Sequence, residues 1–151
     1  HEPIHEVCIY FNQRLLRGNR TQKISAQGFA AFDSPNYPHL ASIGIDITVH
    51  QHVLLKPPTK PFKLQTIDPQ FIANFRLFPG FAADVLAYIL NQPLCGLILE
   101  TYGAGNAQNN EPRFLNLLKE ACERGVIIVN CTQCQQGRVE MSQYATGHTL
   151  K

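Results

Sequence analysis

The sequence predicts an α/β protein made of two pieces of unequal regularity joined by a proline-rich stretch. Three observations carry this. Beyond residue 70, apolar runs of strand length alternate with longer periodic runs of helix length, and Gly or Pro punctuates each change. The first forty residues hold a shorter β-rich run and several turn signals. Between the two pieces lies Lys56-Pro57-Pro58-Thr59-Lys60-Pro61, an extended, semi-rigid composition suited to a domain boundary. The divisions expected are 1–40 for the end of one domain, 41–69 for the linker and 70–151 for an incomplete second domain.

Taken in order, Glu6 to Phe11 (E-V-C-I-Y-F) reads as a buried strand. A basic loop from Arg17 to Lys23 follows, and Asp33-Ser34-Pro35-Asn36-Tyr37-Pro38 marks turns rather than a long helix. Ile43 to Val49 alternates isoleucine with smaller or polar residues, as a half-buried strand does. After the linker, Asn74 to Phe78 is a strand and Pro79-Gly80 the turn out of it. Phe81 to Leu90 is a helix expected to bury Phe81, Val85, Tyr88 and Ile89, and Leu94 to Leu99 is a fully buried strand. Pro112 to Arg124 is a helix with proline in its first turn and Gly125 just past its end, and Val126 to Asn130 is a further buried strand. Strand, helix, strand, helix, strand at these lengths implies right-handed crossovers and a parallel sheet of flavodoxin/Rossmann-like kind.

Composition excludes several classes. Apolar residues make up 44% and charged residues 16%, which places the chain among globular proteins rather than disordered ones. A net charge of +2 is too small to imply a nucleic-acid partner, and Arg14, Arg17, Arg20 and Lys23 recur every third residue, a spacing that builds no single stripe on helix or strand. The longest mostly apolar run, Phe81 to Leu90, is far shorter than the roughly 20 residues of a membrane helix. The chain starts at His1 without a methionine and enters its first strand within a few residues, which suggests a piece of a longer polypeptide. Five cysteines (Cys8, Cys95, Cys122, Cys131, Cys134) form an odd set, expected to be free thiols in a reducing cytosol. Cys131-Thr132-Gln133-Cys134 has the C-x-x-C spacing, but a zinc or redox site needs a second ligand pair or a helix start, and only the distant His148 is available. Neither metal nor cofactor is implied.

Two stretches carry candidate chemistry. In Arg17-Gly18-Asn19-Arg20-Thr21-Gln22-Lys23 a lysine lies near two arginines, and neighbouring cations with partial burial disfavour the ammonium form, bringing a lysine within reach of proton transfer at neutral pH. The competing reading is a solvated basic loop. In open parallel sheets, ligands bind outside the carboxyl ends of the strands, which nominates Pro79-Gly80, Tyr102 to Asn110 and Cys131 to Gly137. Gly103-Ala104-Gly105-Asn106 lacks the third glycine of a dinucleotide fingerprint and is weak as a nucleotide site.

Several segments together resemble bacterial cytoplasmic (type I) L-asparaginases. Tyr10 to Phe32 (Y-F-N-Q-R-L-L-R-G-N-R-T-Q-K-I-S-A-Q-G-F-A-A-F) and S-P-N from Ser34 resemble the end of that family's amino-terminal α/β domain. Leu97 to Ala107 (L-I-L-E-T-Y-G-A-G-N-A), Arg124 to Gly137 (R-G-V-I-I-V-N-C-T-Q-C-Q-Q-G) and Tyr144-Ala145-Thr146-Gly147 resemble its carboxy-terminal domain. The resemblance implies a cytoplasmic enzyme that hydrolyses L-asparagine to L-aspartate and ammonia through a threonine acyl-enzyme. A second threonine, an aspartate and a lysine share the proton transfer, and the lysine maps onto Lys23. The family's T-G-G-T-I and G-T-D segments, which hold the other three groups, do not occur here. The resemblance also implies an intimate dimer, paired into tetramers, in which Tyr102 and Asn106 contribute to the partner's substrate site. It implies a regulatory pocket lined by Glu100 and Cys134, where a cation is usual at the first position and Glu100 would instead repel a ligand carboxylate. Two rivals remain: a non-catalytic ligand-binding or oligomerising α/β module, and an asparaginase-like subunit of a tRNA-dependent amidotransferase.

Overall fold

A computed structural model describes residues 3–107 and 111–140, and its contacts divide the chain into two units between Gln65 and Thr66. The first unit is antiparallel. Strands β1 (Cys8–Phe11) and β2 (Arg14–Arg17) form a hairpin with Phe11 opposite Arg14. Its two-residue turn, Asn12-Gln13, has φ of 47° and 60°, the left-handed pair whose twist matches the flanking strands. After a 3-10 turn at Gly18–Arg20, β3 (Gln22–Lys23) pairs with β4 (Phe32–Asp33) as a separate two-stranded ladder. Strands β5 (Ala41–Ile43) and β6 (Ile47–Val49) complete a four-stranded sheet of order β1-β2-β5-β6.

The details depart from the sequence reading in ways that burial explains. Glu6 to Phe11 was expected to be a buried strand, yet β1 lies at the sheet edge with Tyr10 exposed and its other residues half-buried. The expected single strand from Ile43 to Val49 is instead a hairpin, because Gly44-Ile45-Asp46 turns the chain and leaves Ile45 wholly exposed. Residues 41–49 thus sit in the first unit's sheet. Between Leu54 and Phe71 the chain has neither helix nor strand.

The second unit has β7 (Ile72–Arg76), α1 (Ala83–Leu90), β8 (Gly96–Thr101), α2 (Pro112–Glu123) and β9 (Ile127–Thr132). Its sheet has order β7-β8-β9 and both pairings are parallel, with Phe75 opposite Leu99 and Leu99 opposite Asn130. The α/β expectation is met here. The buried core joins Phe75, Leu77, Leu86, Leu97, Leu99, Phe114 and Leu118, with Phe81 edge-on to both Phe75 and Phe114. Helix α1 begins at Ala83, two residues later than predicted, and buries Ala83, Leu86 and Leu90; Val85 and Tyr88, expected inside, face water. Phe81 still packs inward, from the turn that precedes the helix. Strand β9 is an edge strand with Ile127 and Val129 exposed rather than a buried one. Helix α2 ends as predicted, with Gly125 at φ 91° just past its last turn.

Candidate active site

In the first unit, the basic loop is more ordered than its composition suggests. Gly18 begins the 3-10 turn because a Cβ there would sit 2.9 Å from the Val7 carbonyl oxygen, which accepts the Gly18 N–H at 2.8 Å. Lys23 stands on β3 opposite Phe32; its side chain is exposed and meets no ion pair or hydrogen bond among the described residues. The two guanidiniums that the sequence reading set near Lys23 make their contacts with other groups. Arg17 pairs with Glu6, donates to the Val53 carbonyl at 2.9 Å and lies 4.3 Å from the Tyr37 ring centre. Arg20 donates to the Asn36 carbonyl at 2.9 Å and lies 5.3 Å from the same ring.

Glu6 is the anchor of that arrangement, its side chain only 4% exposed. The hydrogen bond from Arg17 holds its carboxyl below the ordinary 4.5, against desolvation that acts the other way, and the Leu55 N–H assists. Burial pushes the nearby Cys8 thiol up, and the Glu6 charge adds to that shift. A polar cleft of about 310 Å³ lies between Asn12, Gln13, Arg14, Ser42 and Ile43, and the Ser42 hydroxyl bridges His39 at 3.0 Å and His50 at 3.3 Å.

In the second unit, the carboxyl ends of β8 and β9 carry a closed loop. The Tyr102 N–H donates to Asn106 O at 2.9 Å and the Asn106 N–H to Tyr102 O at 2.8 Å. Gly103 and Gly105 take φ of 48° and 108°, backbone states that side chains resist, which is why this loop is glycine-rich. Beneath it, the fully buried Thr101 hydroxyl donates to Asn130 Oδ1 at 2.6 Å, and the Asn130 amide reaches Gly105 O at 3.4 Å. Thr132 Oγ1 donates to Gly103 O. The Gln133 amide bridges Leu77 O at 2.7 Å and Glu100 O at 2.9 Å, tying the ends of β7 and β8 together. The loop is thereby held from below. The Tyr102 hydroxyl is buried with no hydrogen-bond partner among the described residues.

Of the predicted site residues, Tyr102 and Asn106 are brought together by this loop. Glu100 is turned to Asn74, whose amide donates at 2.9 Å, and to Arg76 at 3.5 Å. Cys134 is exposed on the following turn, where its N–H donates to Thr132 Oγ1 at 3.0 Å. All five cysteines are free, and among the described residues no cluster of three or more His, Cys, Asp or Glu side chains is placed to hold a metal. No described helix is long and apolar enough to cross a membrane. The Tyr144 to Gly147 motif and His148 lie outside the described residues. Sequence reasoning missed Thr101 and Asn130, and also Glu6 and Tyr37, while Gln133 falls in the nominated Cys131 to Gly137 stretch without being singled out. The first two had a signal: polar residues towards the carboxyl ends of β8 and β9. Glu6 and Tyr37 had none, since their partners are distant in sequence.

The match to known proteins follows both units. A family model described as Glutaminase/Asparaginase C-terminal domain matches residues 72–151, and one described as Asparaginase, N-terminal matches residues 1–55. The chain belongs to the glutaminase/asparaginase family. It is 47% identical over 98% of its length to L-asparaginase 1 of Escherichia coli K12, of which it spans 44%. The 60 kDa lysophospholipase of mouse is 43% identical over 97% of the chain, which covers 26% of that protein. Among solved structures, L-asparaginase I from Vibrio cholerae matches with a TM-score of 0.89 and 48% identity, over 98% of this chain and 45% of that one. The chain therefore spans less than half of the relatives it matches. Both members of the family's two-domain pair are represented, in order.

Proposed function

We propose that the complete polypeptide containing this chain is an L-asparaginase, hydrolysing L-asparagine to L-aspartate and ammonia through a threonine acyl-enzyme. The observation that carries the reading is the 47% identity to an L-asparaginase across 98% of the chain, with the family's two domain models matched in order. Lys23 is assigned to proton transfer, together with a second threonine and an aspartate carried by other segments of the polypeptide. On this reading those other segments cover Lys23 and exclude water, so the 151-residue stretch acts only as part of the whole. The same reading makes the protein a cytoplasmic, self-associating enzyme, an intimate dimer paired into tetramers, with Tyr102 and Asn106 presented to the partner's substrate site. The closed, hydrogen-bonded loop that holds these two residues is the kind of rigid support such a role needs. A regulatory pocket at Glu100 and Cys134 would set a ligand carboxylate against that of Glu100, so asparagine sensing there is not part of the proposal.

The test is Lys23→Arg in the complete polypeptide, assayed by ammonia release. A guanidinium stays charged and cannot accept a proton, so kcat should fall by roughly 10²–10⁴-fold with much less change in KM. A folded Lys23→Arg enzyme with near-normal kcat would remove the lysine from the mechanism.

A further inference from the structure

We propose that Arg20 and Tyr37 form a clasp that positions Lys23 rather than tuning it by charge; the proposal rests on the role just given to Lys23. The ladder carrying Lys23 is short, with only Gln22–Asp33 and Lys23–Phe32 in register. The Ile24 and Ser25 N–H groups both donate to Ala31 O, at 2.8 and 3.3 Å, and the Ser25 hydroxyl accepts from Gln27 and Gly28 at the tip. A lone two-stranded hairpin is marginal in water. Apolar support is also thin: Phe32 meets Phe11 edge-on at 5.2 Å, while Phe29 is fully exposed and Ile24 partly so. The Arg14–Asp33 pair at 3.6 Å ties β4 to β2, and the remaining ties of the arm lie at its base.

That base is where the two residues act. Arg20 precedes β3 and donates to the carbonyl of Asn36, which follows β4, so one side chain closes the mouth of the hairpin. Its guanidinium also lies 5.3 Å from the Tyr37 ring centre, and Arg17 lies 4.3 Å from it. A cation is attracted to the face of an aromatic ring, the more strongly when both are desolvated. Tyr37 is fixed in turn, its hydroxyl donating to Val53 O at 3.0 Å, the carbonyl that also accepts from Arg17. Arg17 is held by the buried Glu6. Thr21 Oγ1 donates to Arg17 O at 2.7 Å and fixes the intervening 3-10 turn. A connected path thus runs from the anchored Glu6–Arg17 pair through Tyr37 and Arg20 to the strand that bears Lys23. On this proposal Arg20 acts on Lys23 through geometry, because its contacts are to the carbonyl of Asn36 and the ring of Tyr37 at the base of the arm.

The experiment measures kcat, KM and their pH profiles for L-asparagine hydrolysis by the complete polypeptide carrying Arg20→Ala, Tyr37→Leu, Arg20→Lys, Lys23→Met, or Arg20→Ala combined with Lys23→Met. Misplacing a reacting group by about 1 Å costs on the order of 100-fold, so Arg20→Ala and Tyr37→Leu should lower kcat by about 10- to 100-fold while KM and the pH midpoints stay put. Arg20→Lys, which keeps a cation and a donor, should recover most of the rate and covers the case in which Arg20→Ala fails to fold. The decisive arm is the double variant. If Arg20 acts through Lys23, Arg20→Ala should take nothing further from the residual rate of Lys23→Met. A multiplicative loss in that background, a shifted pH midpoint in Arg20→Ala, or an unchanged kcat would overturn the clasp. A Lys23→Met enzyme with normal kcat would instead bring down the lysine assignment on which the clasp depends.

Discussion

The two units are stabilised by different means. In the second, the buried cluster from Phe75 to Val126 is built from side chains of adjacent elements, and each helix turns its apolar stripe to the sheet that precedes and follows it. In the first, the buried apolar residues are few, Leu16, Leu40, Ala41 and Val53, and long-range polar ties make up the difference. Glu6 reaches Leu55, and Arg17 reaches Val53. Local periodicity therefore specifies the parallel unit, whereas pairs of side chains far apart in sequence specify the antiparallel one.

The largest test of that contrast is Phe114→Ala. Phe114 is 0% exposed and stacks edge-on against Phe81, so truncation removes its burial and leaves a cavity that a sheet and two helices cannot fully close. The expected cost is about 3–5 kcal/mol, read as faster hydrogen exchange of the α2 amides in the complete polypeptide. Protection in the first unit's sheet should fall much less. Equal loss in both sheets would mean that the two share one cooperative core and that the contrast is wrong.

A smaller test is aimed at the polar layer under the Tyr102–Asn106 loop. Thr101→Val keeps the shape of a buried side chain but deletes the hydroxyl that donates to Asn130 Oδ1 at 2.6 Å. Losing one hydrogen bond to the half-buried Asn130 side chain costs about 0.5–1.5 kcal/mol. The Asn106 amide, bonded to Tyr102 O, should exchange faster in Thr101→Val and stay protected in Thr101→Ser. If valine and serine behave alike, the hydroxyl does not support the loop.

How much was legible in advance follows the same division. The β7-α1-β8-α2-β9 order could be read from apolar runs and from Pro112 and Gly125, because both signals are local. The face of α1 could not, since its segment is apolar on nearly every side, and Val85-Tyr88-Ile89 makes as good a stripe by spacing as the Ala83-Leu86-Leu90 set that is buried. The hairpin at Gly44-Ile45-Asp46 was concealed by isoleucines that alternate as in a strand although Ile45 and Ile47 are exposed. At the candidate site, residue types nominated the Arg17–Lys23 loop and the strand ends, while the roles proposed for Lys23, Tyr102 and Asn106 came from the resemblance to asparaginases. The partners of Arg17 and Arg20 were not, because nothing local in the sequence marks Glu6 or Tyr37 as the group a guanidinium will choose.

The gentlest test uses acid, and it follows from the means by which the first unit is held. Arg17's hydrogen bond, the largest influence, and the Leu55 N–H together lower the Glu6 pKa below its ordinary 4.5, outweighing the desolvation that raises it. A carboxyl with a depressed folded-state pKa contributes stability that is fully present above the unfolded value and disappears as pH falls through the folded one. The Glu6 contribution should therefore be intact at neutral pH and be lost progressively below about pH 4.5. Among the described residues the second unit has no equivalent: its pairs Arg76–Glu100, Asp84–Arg113, Lys119–Glu123 and Arg138–Glu140 each have an arm that is well exposed, and such pairs contribute little. Acid should then loosen the first unit ahead of the second. Glu6→Gln keeps an acceptor for the Leu55 N–H but not the charge, so its thermal midpoint should lie a few degrees below that of the unaltered protein at neutral pH and converge with it in acid. A gap between the two that stays constant from neutral pH down to about pH 3 would show that the shape of Glu6, and not its charge, holds Arg17 and the ring of Tyr37 in place.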